Sequence, residues 1–172
     1  IYLQTGASAA APSDADTPWG TGFTDLGYAG EDGVTETRNR SMQTVKAWQN
    51  GDVVREVVTE ASVTLQFVLI ETKKETVELY YGTTVAEDGS IIIVPNATGG
   101  RHGMGLDIID GDAFIRMWIP QGEITEVGDQ VYQNGEPIGY EVTVRAYPHA
   151  SLIDPETEKM GSMKKWYSTL AA

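Results

Sequence analysis

The clearest pattern along the chain is an alternation of apolar and polar positions, which predicts β-strands. Residues 62–69 alternate in this way, with Val63, Leu65, Phe67 and Leu69 on one side, as is typical of a half-buried strand. A second alternating run extends over 138–146. Further strands are expected at 91–94, 106–109, 113–119 and 129–132, with two-residue hairpin signals at Asp110-Gly111 and Asn134-Gly135.

One short segment departs from the strand pattern. Thr72-Lys73-Lys74-Glu75 fits a capping box, and Val77, Tyr80 and Tyr81 share one helical face before Gly82, so we predict a helix over 73–81. Long strands, hairpin turns and a single short helix indicate a mainly β fold. We expect a β-sandwich or barrel with one helix packed on it.

The apolar pattern also suggests how the chain is organised. Residues 1–22 show no periodicity and are interpreted as an extended N-terminal arm. Residues 24–52 are interpreted as a long loop; loops of this length usually either bind something or are disordered, and the aromatic residues here favour binding. The β domain is expected to cover 23–149, and 150–172 form a C-terminal extension that Trp166 and Tyr167 could anchor.

Charge and composition narrow the function classes. The chain has 172 residues, about one domain, and 12 basic against 25 acidic residues give a formal net charge of −13. Binding to duplex DNA rests on neutralising phosphates with Lys and Arg, so a phosphate-gripping surface is not expected. The absence of cysteine excludes disulfides and thiolate chemistry. The apolar runs are far shorter than the ~20 residues of a membrane span, so we expect no membrane insertion.

Residues with catalytic or metal-binding chemistry do not form a known pattern. The glycine-rich run at 99–105 lacks a P-loop ending and is expected to be a flexible loop. The acids near the Asp110-Gly111 turn lack EF-hand spacing and are interpreted as solvated turn acids. The residues considered are His102, His149, Asp107, Asp110 and Asp112. We therefore predict no catalytic residue, no metal site and no cofactor.

One charged segment differs from the rest of the chain. Residues 38–46 hold three cations, Arg38, Arg40 and Lys46, and no acid. A basic loop on an acidic body is self-complementary, because the loop of one copy can dock on the body of another. A solvated loop without a partner is the alternative.

Four stretches of the sequence together resemble one family. These are 25–36 (DLGYAGEDGVTE), 46–55 (KAWQNGDVVR), 122–129 (GEITEVGD) and 135–148 (GEPIGYEVTVRAYP). They resemble major tail tube proteins of phages with long non-contractile tails (siphovirus-type), particularly phages of actinobacteria. The resemblance covers 25–82 and 118–149, in the expected order.

The resemblance implies a structural virion protein rather than an enzyme. Such proteins form hexameric rings whose sheets join around a lumen, and the rings stack into the tail tube. The implied partners are other copies, the tape-measure protein in the lumen, and the tail terminator and distal tail or baseplate proteins at the ends. DNA would pass without specific binding, and assembly would occur in the cytoplasm of the bacterial host. Mapping the family's loop onto 24–52 implies subunit or ring contacts by Arg38, Arg40, Lys46 and Trp48.

The residues leave two other classes of function open. A carbohydrate-binding or adhesin-like β-sandwich would stack sugars on tryptophans, which lie at Trp19, Trp48, Trp118 and Trp166. A hydrolase with paired carboxylates would need a deep pocket and an acid with a raised pKa.

Overall fold

A computed structural model describes residues 1–5, 10–46, 48 and 53–170. Its eight strands lie in one antiparallel sheet of order β2-β1-β5-β6-β7-β4-β3, and β8 pairs with β6. The elements are β1 (Tyr2–Gln4), β2 (Phe23–Asp25), β3 (Ala29–Lys46), β4 (Val53–Leu69), α1 (Lys74–Tyr81), β5 (Arg101–Asp110), β6 (Ala113–Val127), β7 (Tyr140–Ala146) and β8 (Lys164–Tyr167). The predicted mainly β fold with one short helix is confirmed, and the sheet is consistent with a β-sandwich.

The long strand β6 joins the two parts of the sheet. Its first half pairs with β8 and its second half with β7, on the edge opposite β5. One apolar cluster, contributed by β1, β4, β5, β6, β7 and α1, forms the core. Leu65, Leu69, Val142 and Ile119 are fully buried there, and each such side chain contributes roughly 1.5–3 kcal/mol relative to exposure.

The strongest sequence patterns correspond to real elements. The alternating runs lie in β4 and β7, and the predicted helix corresponds to α1. Gly82 follows the helix in the left-handed conformation, with φ 64°, as expected of a glycine at this position. The predicted capping box is wrong, because Lys73 precedes the helix without a side-chain cap. The Thr72 hydroxyl instead lies 3.0 Å from the Tyr140 hydroxyl.

Two predicted strands and one predicted turn differ from the structure. Residues 91–94 and 129–132 are not strands, and neither segment pairs with a described strand; β-branched composition alone does not create one. The first hairpin is present, but Asp110 pairs with Ala113, so its turn is Gly111-Asp112 and not the predicted Asp110-Gly111. Arg101 onward belongs to β5, so the glycine-rich run is only partly a loop.

The predicted terminal arm is wrong at residues 2–4, whereas residues 10–22 form no strand or helix. Tyr2–Gln4 form β1 between β2 and β5, and Leu3 is buried in the core. A three-residue strand is too short to show a period, which is why the sequence pattern missed it. The C-terminal anchor is confirmed, because Trp166 and Tyr167 lie in β8 opposite Arg116 and Ile115. Predictions for residues 6–9 and 171–172 lie outside the described residues.

The predicted loop over 24–52 is also wrong for most of its length. Residues 29–46 form the 18-residue strand β3, paired with β4 from Val34↔Phe67 to Lys46↔Val53. Most of β3 is exposed on both faces, so it lacks the apolar alternation that marks a half-buried strand. The part of the predicted loop at 47 and 49–52 lies outside the described residues.

Candidate interaction surfaces

The β3–β4 hairpin projects beyond the rest of the sheet. Strand β7 covers β4 only from Val63 to Leu69, so 53–62 and their partners on β3 form a two-stranded ribbon among the described residues. The register shifts between Ser41 and Met42 and again between Val45 and Lys46. A ribbon of two strands is at best marginally stable alone in water. Contact with a covering surface would therefore stabilise this hairpin.

The hairpin tip, defined as residues 42–46, 48 and 53–58, exposes apolar side chains on both faces. Met42 is paired with Val58 and Gln43 with Val57, and successive pairs point to opposite faces. Trp48 is 98% exposed and Val54 67%. A concentration of exposed apolar groups of this kind marks an interaction site.

The four residues that the sequence predicts as subunit or ring contacts lie in two separate places. Arg38 and Arg40 lie at the base of the ribbon, opposite Val63 and Ala61, and line a groove of about 530 Å³ beside residues 160–162. Lys46 and Trp48 lie at the tip. All four side chains are exposed.

The cations of the hairpin are unpaired, whereas several cations of the sheet are paired. Among the described residues, no acid lies within ion-pair distance of those in the hairpin, which are Arg38, Arg40, Lys46 and Arg55. Elsewhere, the Lys73 ammonium lies 3.2 Å from Glu71, and the Arg101 guanidinium lies 3.3 Å from Glu123. The ribbon of residues 38–46 and 53–62 thus holds these four cations against two acids, Glu56 and Glu60, on a chain with a large acidic excess.

A buried arginine that the sequence analysis did not select holds the N-terminal segment. Arg116 is 4% exposed, and its Nε and Nη2 donate to Asp107 at 2.7 and 3.0 Å. Its Nη1 donates to the backbone carbonyls of Asp14, at 3.2 Å, and Thr17. The guanidinium also lies 4.6 Å from the Trp19 ring centre. Asp107 is thus the half-buried ion-pair partner of a buried arginine, and its interpretation as a solvated turn acid is wrong.

Two further features fix this segment against β5. The Trp19 indole donates to Asp107 at 2.7 Å, and a Cβ added to Gly105 would lie 2.0 Å from the Trp19 ring. The Asp14 carboxylate accepts backbone N–H groups of Asp16 and Thr17 at 3.0 and 2.6 Å. The Thr17 bonds, helped by the Ser13 hydroxyl, hold the pKa of Asp14 well below its usual range. This turn aims the carbonyls at Arg116.

The register of the β5–β6 hairpin could have found this ion pair. Counting outward from the turn at 111–112 places Asp107 directly opposite Arg116, and opposite charges at facing positions are favourable. The contribution of Asp14 and Trp19 is long-range, and no local sequence signal indicates it.

The sheet face opposite the core is polar. Side chains of β4, β7 and β6 lie side by side there, with Gln66 opposite Thr143, and Thr64 opposite Arg145, which is opposite Glu123. Gln66 donates to Glu141 at 2.5 Å. Short hydroxyl and amide groups with interspersed charges leave this face hydrated and without an apolar patch.

The end of the sheet that is remote from the hairpin tip exposes both acidic and apolar side chains. We call residues 126–132 and the groove beside them the acceptor end. Glu126 and Asp129 are exposed, Val131 is 59% exposed and Tyr132 71%. The groove has a volume of about 360 Å³ and lies against α1, lined in part by Tyr81, Ile93, Val94 and Val127.

Two tyrosines of α1 hold the acceptor end in place. The Tyr80 hydroxyl donates to the Gly128 carbonyl at 2.6 Å, and Tyr81 donates to the Gln130 side chain at 2.8 Å. Burial, and next its interaction with Tyr132, raises the pKa of Tyr81 to about 12. Both hydroxyls therefore stay protonated and able to donate at neutral pH.

The described residues provide no catalytic arrangement that we recognise. His102 Nε2 lies 2.7 Å from the Gly99 carbonyl, and His149 Nδ1 lies 2.7 Å from the Ser151 hydroxyl; neither pair continues to a third polar group of a triad. No group of three potential metal ligands occurs within 1–5, 10–46, 48 and 53–170. In the same part of the chain no helix has the length and apolar character needed to cross a membrane.

The tryptophans do not form a sugar-stacking platform. Trp118 is buried, and its Nε1 has no acceptor among the described residues. Trp19 is enclosed between Tyr2, Phe23 and Arg116. Trp48 alone of these three is fully exposed, and it lies at the hairpin tip.

Comparison with known proteins identifies a family. A family model described as phage tail tube protein matches residues 1–156 of the 172-residue chain. A search of curated proteins gave no match.

Proposed function

The chain belongs to the phage tail tube protein family and is a structural component of the virion tail, and we propose that it assembles into stacked hexameric rings that conduct the genome to the host. The family is structural rather than enzymatic and implies self-assembly into a tube. The single observation that carries the proposal is the projecting hairpin, whose two apolar faces and unpaired cations have no partner within the described part of the subunit.

Lateral assembly would use the free edge of the sheet. Strand β3 pairs with β4 alone among the described strands, so one edge of an 18-residue strand is open. An open edge of this length is an aggregation hazard for a monomer. In a closed ring the same edge pairs with the next copy, and rotational symmetry removes the hazard.

The polar sheet face is the surface that we assign to the lumen. Its hydroxyl and amide groups surround Glu123, Glu141 and Arg145, so the face offers DNA no excess of cations. Binding to DNA depends on releasing counterions from neutralised phosphates, and a wall without a cation excess leaves the backbone free to slide. The tape-measure protein would occupy this lumen before ejection.

Assembly into a tube also implies partners at the two ends of the tube and contacts between its subunits. Tail terminator and distal tail or baseplate proteins would cap its ends. The siphovirus-type, actinobacteriophage-like assignment belongs to this proposal, as does assembly in the host cytoplasm. Within the tube we propose that Arg38, Arg40, Lys46 and Trp48 contact neighbouring subunits or rings, since their side chains are exposed and the three cations have no acidic partner nearby.

Negative-stain electron microscopy of the purified protein over a concentration series, paired with light scattering for mass, tests this function. We expect rings or hollow tubes, with six subunits in each ring. A protein that stays monomeric at every concentration and binds glycans would overturn the proposal in favour of a carbohydrate-binding module.

A further inference from the structure

The loop that joins β6 to β7 carries the sequence Asn134-Gly135. We infer that Asn134 is a site of spontaneous deamidation, at which the backbone nitrogen of Gly135 displaces ammonia from the Asn134 side chain. This chemistry takes place within one subunit and is separate from the proposed assembly.

The structure leaves this pair of residues outside any ladder, although its sequence is typical of a two-residue hairpin. β6 ends at Val127 and β7 begins at Tyr140. Residues 128–139 therefore form a loop, and 131–137 are all exposed. No strand pairing among the described residues includes 128–139, so interstrand hydrogen bonds do not hold the backbone around Asn134.

The attacking nitrogen is exposed and unhindered. Gly135 has φ 91°, a conformation that favours glycine, and a Cβ added at this position would meet nothing within 4 Å. In the described part of the chain, no acceptor receives a hydrogen bond from the Gly135 N–H. The backbone at this turn can therefore rotate and bring the Gly135 nitrogen against the Asn134 side chain.

A second exposed asparagine shows how local structure opposes the same reaction. Asn96 also lies in an exposed turn, but its neighbour is Ala97, whose N–H donates to the Val94 carbonyl at 3.0 Å. That hydrogen bond fixes the nitrogen that would have to attack, and the methyl group of Ala97 crowds the ring that must form. Exposure is thus common to both asparagines, whereas the unrestrained neighbouring amide is found at Asn134.

The reaction balances with water as its co-reactant. The Gly135 amide loses its proton to solvent, and its nitrogen forms a bond with Cγ of Asn134. The Cγ–Nδ2 bond breaks, and the amino group takes up a proton from solvent and leaves as ammonia, which yields a succinimide ring. Water then opens this ring at either carbonyl. The products are aspartate and isoaspartate, in which the chain continues through the side chain, and no group is oxidised or reduced.

The product changes charge without disturbing the core. A carboxylate replaces a neutral amide, which adds one negative charge to a chain of formal net charge −13. The start of the loop stays fixed to α1, because Tyr80 donates to the Gly128 carbonyl at 2.6 Å and Tyr81 to the Gln130 side chain at 2.8 Å. A virion does not renew its proteins, so the modified residue should accumulate with the age of the particle.

Peptide mass spectrometry of the whole protein tests the site. Purified protein is kept in mildly alkaline buffer at physiological temperature and digested with trypsin at intervals. Trypsin cleaves after Lys and Arg, so Asn134 lies in the peptide 117–145 and Asn96 in 75–101. We expect 117–145 to gain about 1 Da at least about tenfold faster than 75–101, which corresponds to a barrier lower by ~1.4 kcal/mol. A smaller ratio would overturn the inference.

A matched variant and a free peptide make the test specific. Asn134→Gln keeps an amide but would need a larger ring, so it should abolish the mass gain in 117–145 while the circular dichroism spectrum is unchanged. A gain that persists would place the reaction on a glutamine and contradict the site. A synthetic peptide of 130–139 should react within about threefold of the folded protein, because the fold does not restrain this turn. A slower reaction in the folded protein would show that the fold protects Asn134, which also overturns the inference.

Discussion

Strand β3 and the N-terminal segment both lack a strand or helix pattern in the sequence, yet they have opposite fates. The N-terminal segment is held by Arg116, whose guanidinium has a carboxylate, two carbonyls and an aromatic ring as partners. The hairpin carries Arg38, Arg40, Lys46 and Arg55 without an acidic partner in the described subunit. The N-terminal segment thus has its polar partners inside the subunit, whereas the cations of the hairpin would find acidic partners on another copy.

Removing the internal arginine should have the largest effect on stability. Arg116→Met removes two donors from the half-buried Asp107, which keeps the Trp19 indole, and removes the same donor from two carbonyls. Breaking an ion pair with a buried member in this way costs up to about 3–5 kcal/mol of unfolding free energy. Urea unfolding measures the loss. Arg38→Met is the matched control and should change the free energy of unfolding by less than about 0.5 kcal/mol; equal losses in both variants would erase the distinction between the two regions.

Crowding the contact between Trp19 and β5 should have the next largest effect. Gly105→Ala places a Cβ 2.0 Å from the ring, and overpacking of this kind costs about 1–3 kcal/mol. Thermal unfolding and tryptophan fluorescence report the loss and the displaced indole. Gly20→Ala is the control, because a Cβ there meets nothing within 4 Å. Unchanged fluorescence in Gly105→Ala would contradict the packing of Trp19 on Gly105.

Acid should weaken the N-terminal segment through Asp14. Hydrogen bonds lower the pKa of Asp14 in the folded protein, so the native state binds fewer protons than the unfolded state. The stabilisation is therefore complete above the unfolded pKa of ~3.9 and is lost as pH falls toward the folded pKa. Asp14→Asn keeps an acceptor oxygen but cannot titrate, so its unfolding free energy should fall less steeply below about pH 4. Parallel pH profiles for both proteins would contradict this role.

Truncating the tip should have the smallest effect on the subunit. Trp48 is 98% exposed, so Trp48→Ala should change the unfolding free energy by less than about 0.5 kcal/mol. Tube formation should nevertheless fall sharply, because the variant lacks its anchor, and Trp48→Phe should restore part of it. Sedimentation separates tubes from subunits. Normal assembly of Trp48→Ala would place the contact elsewhere on the hairpin.

The sequence predicts the elements that bury only one of their faces. β4, β7 and α1 bury one face, and their periods are visible in the chain. β3 was missed because exposure on both faces removes the period, although the pairing of β3 with β4 is long and regular. Residues 91–94 show the converse, because β-branched composition without a paired strand does not produce one.

The candidate surfaces were predictable to different degrees. The run of cations at 38–46 is visible in the sequence, and the structure places two of them at the ribbon base and Lys46 at the tip. The acceptor end was not indicated, since Asp129 and Tyr132 come together with α1 only through tertiary hydrogen bonds. The Arg116–Asp107 pair follows from the register of the β5–β6 hairpin, whereas the contacts of Arg116 with the N-terminal turn are long-range and no local pattern encodes them.

Hydrogen exchange of the backbone amides at 53–58 tests the central claim, that another copy completes the hairpin. We expect rapid exchange in dilute subunits, because a two-stranded ribbon opens readily, and strong protection of the same amides in assembled tubes. β7 amides should be protected in both states and serve as the internal reference. Equal exchange at 53–58 in subunits and tubes would contradict the account.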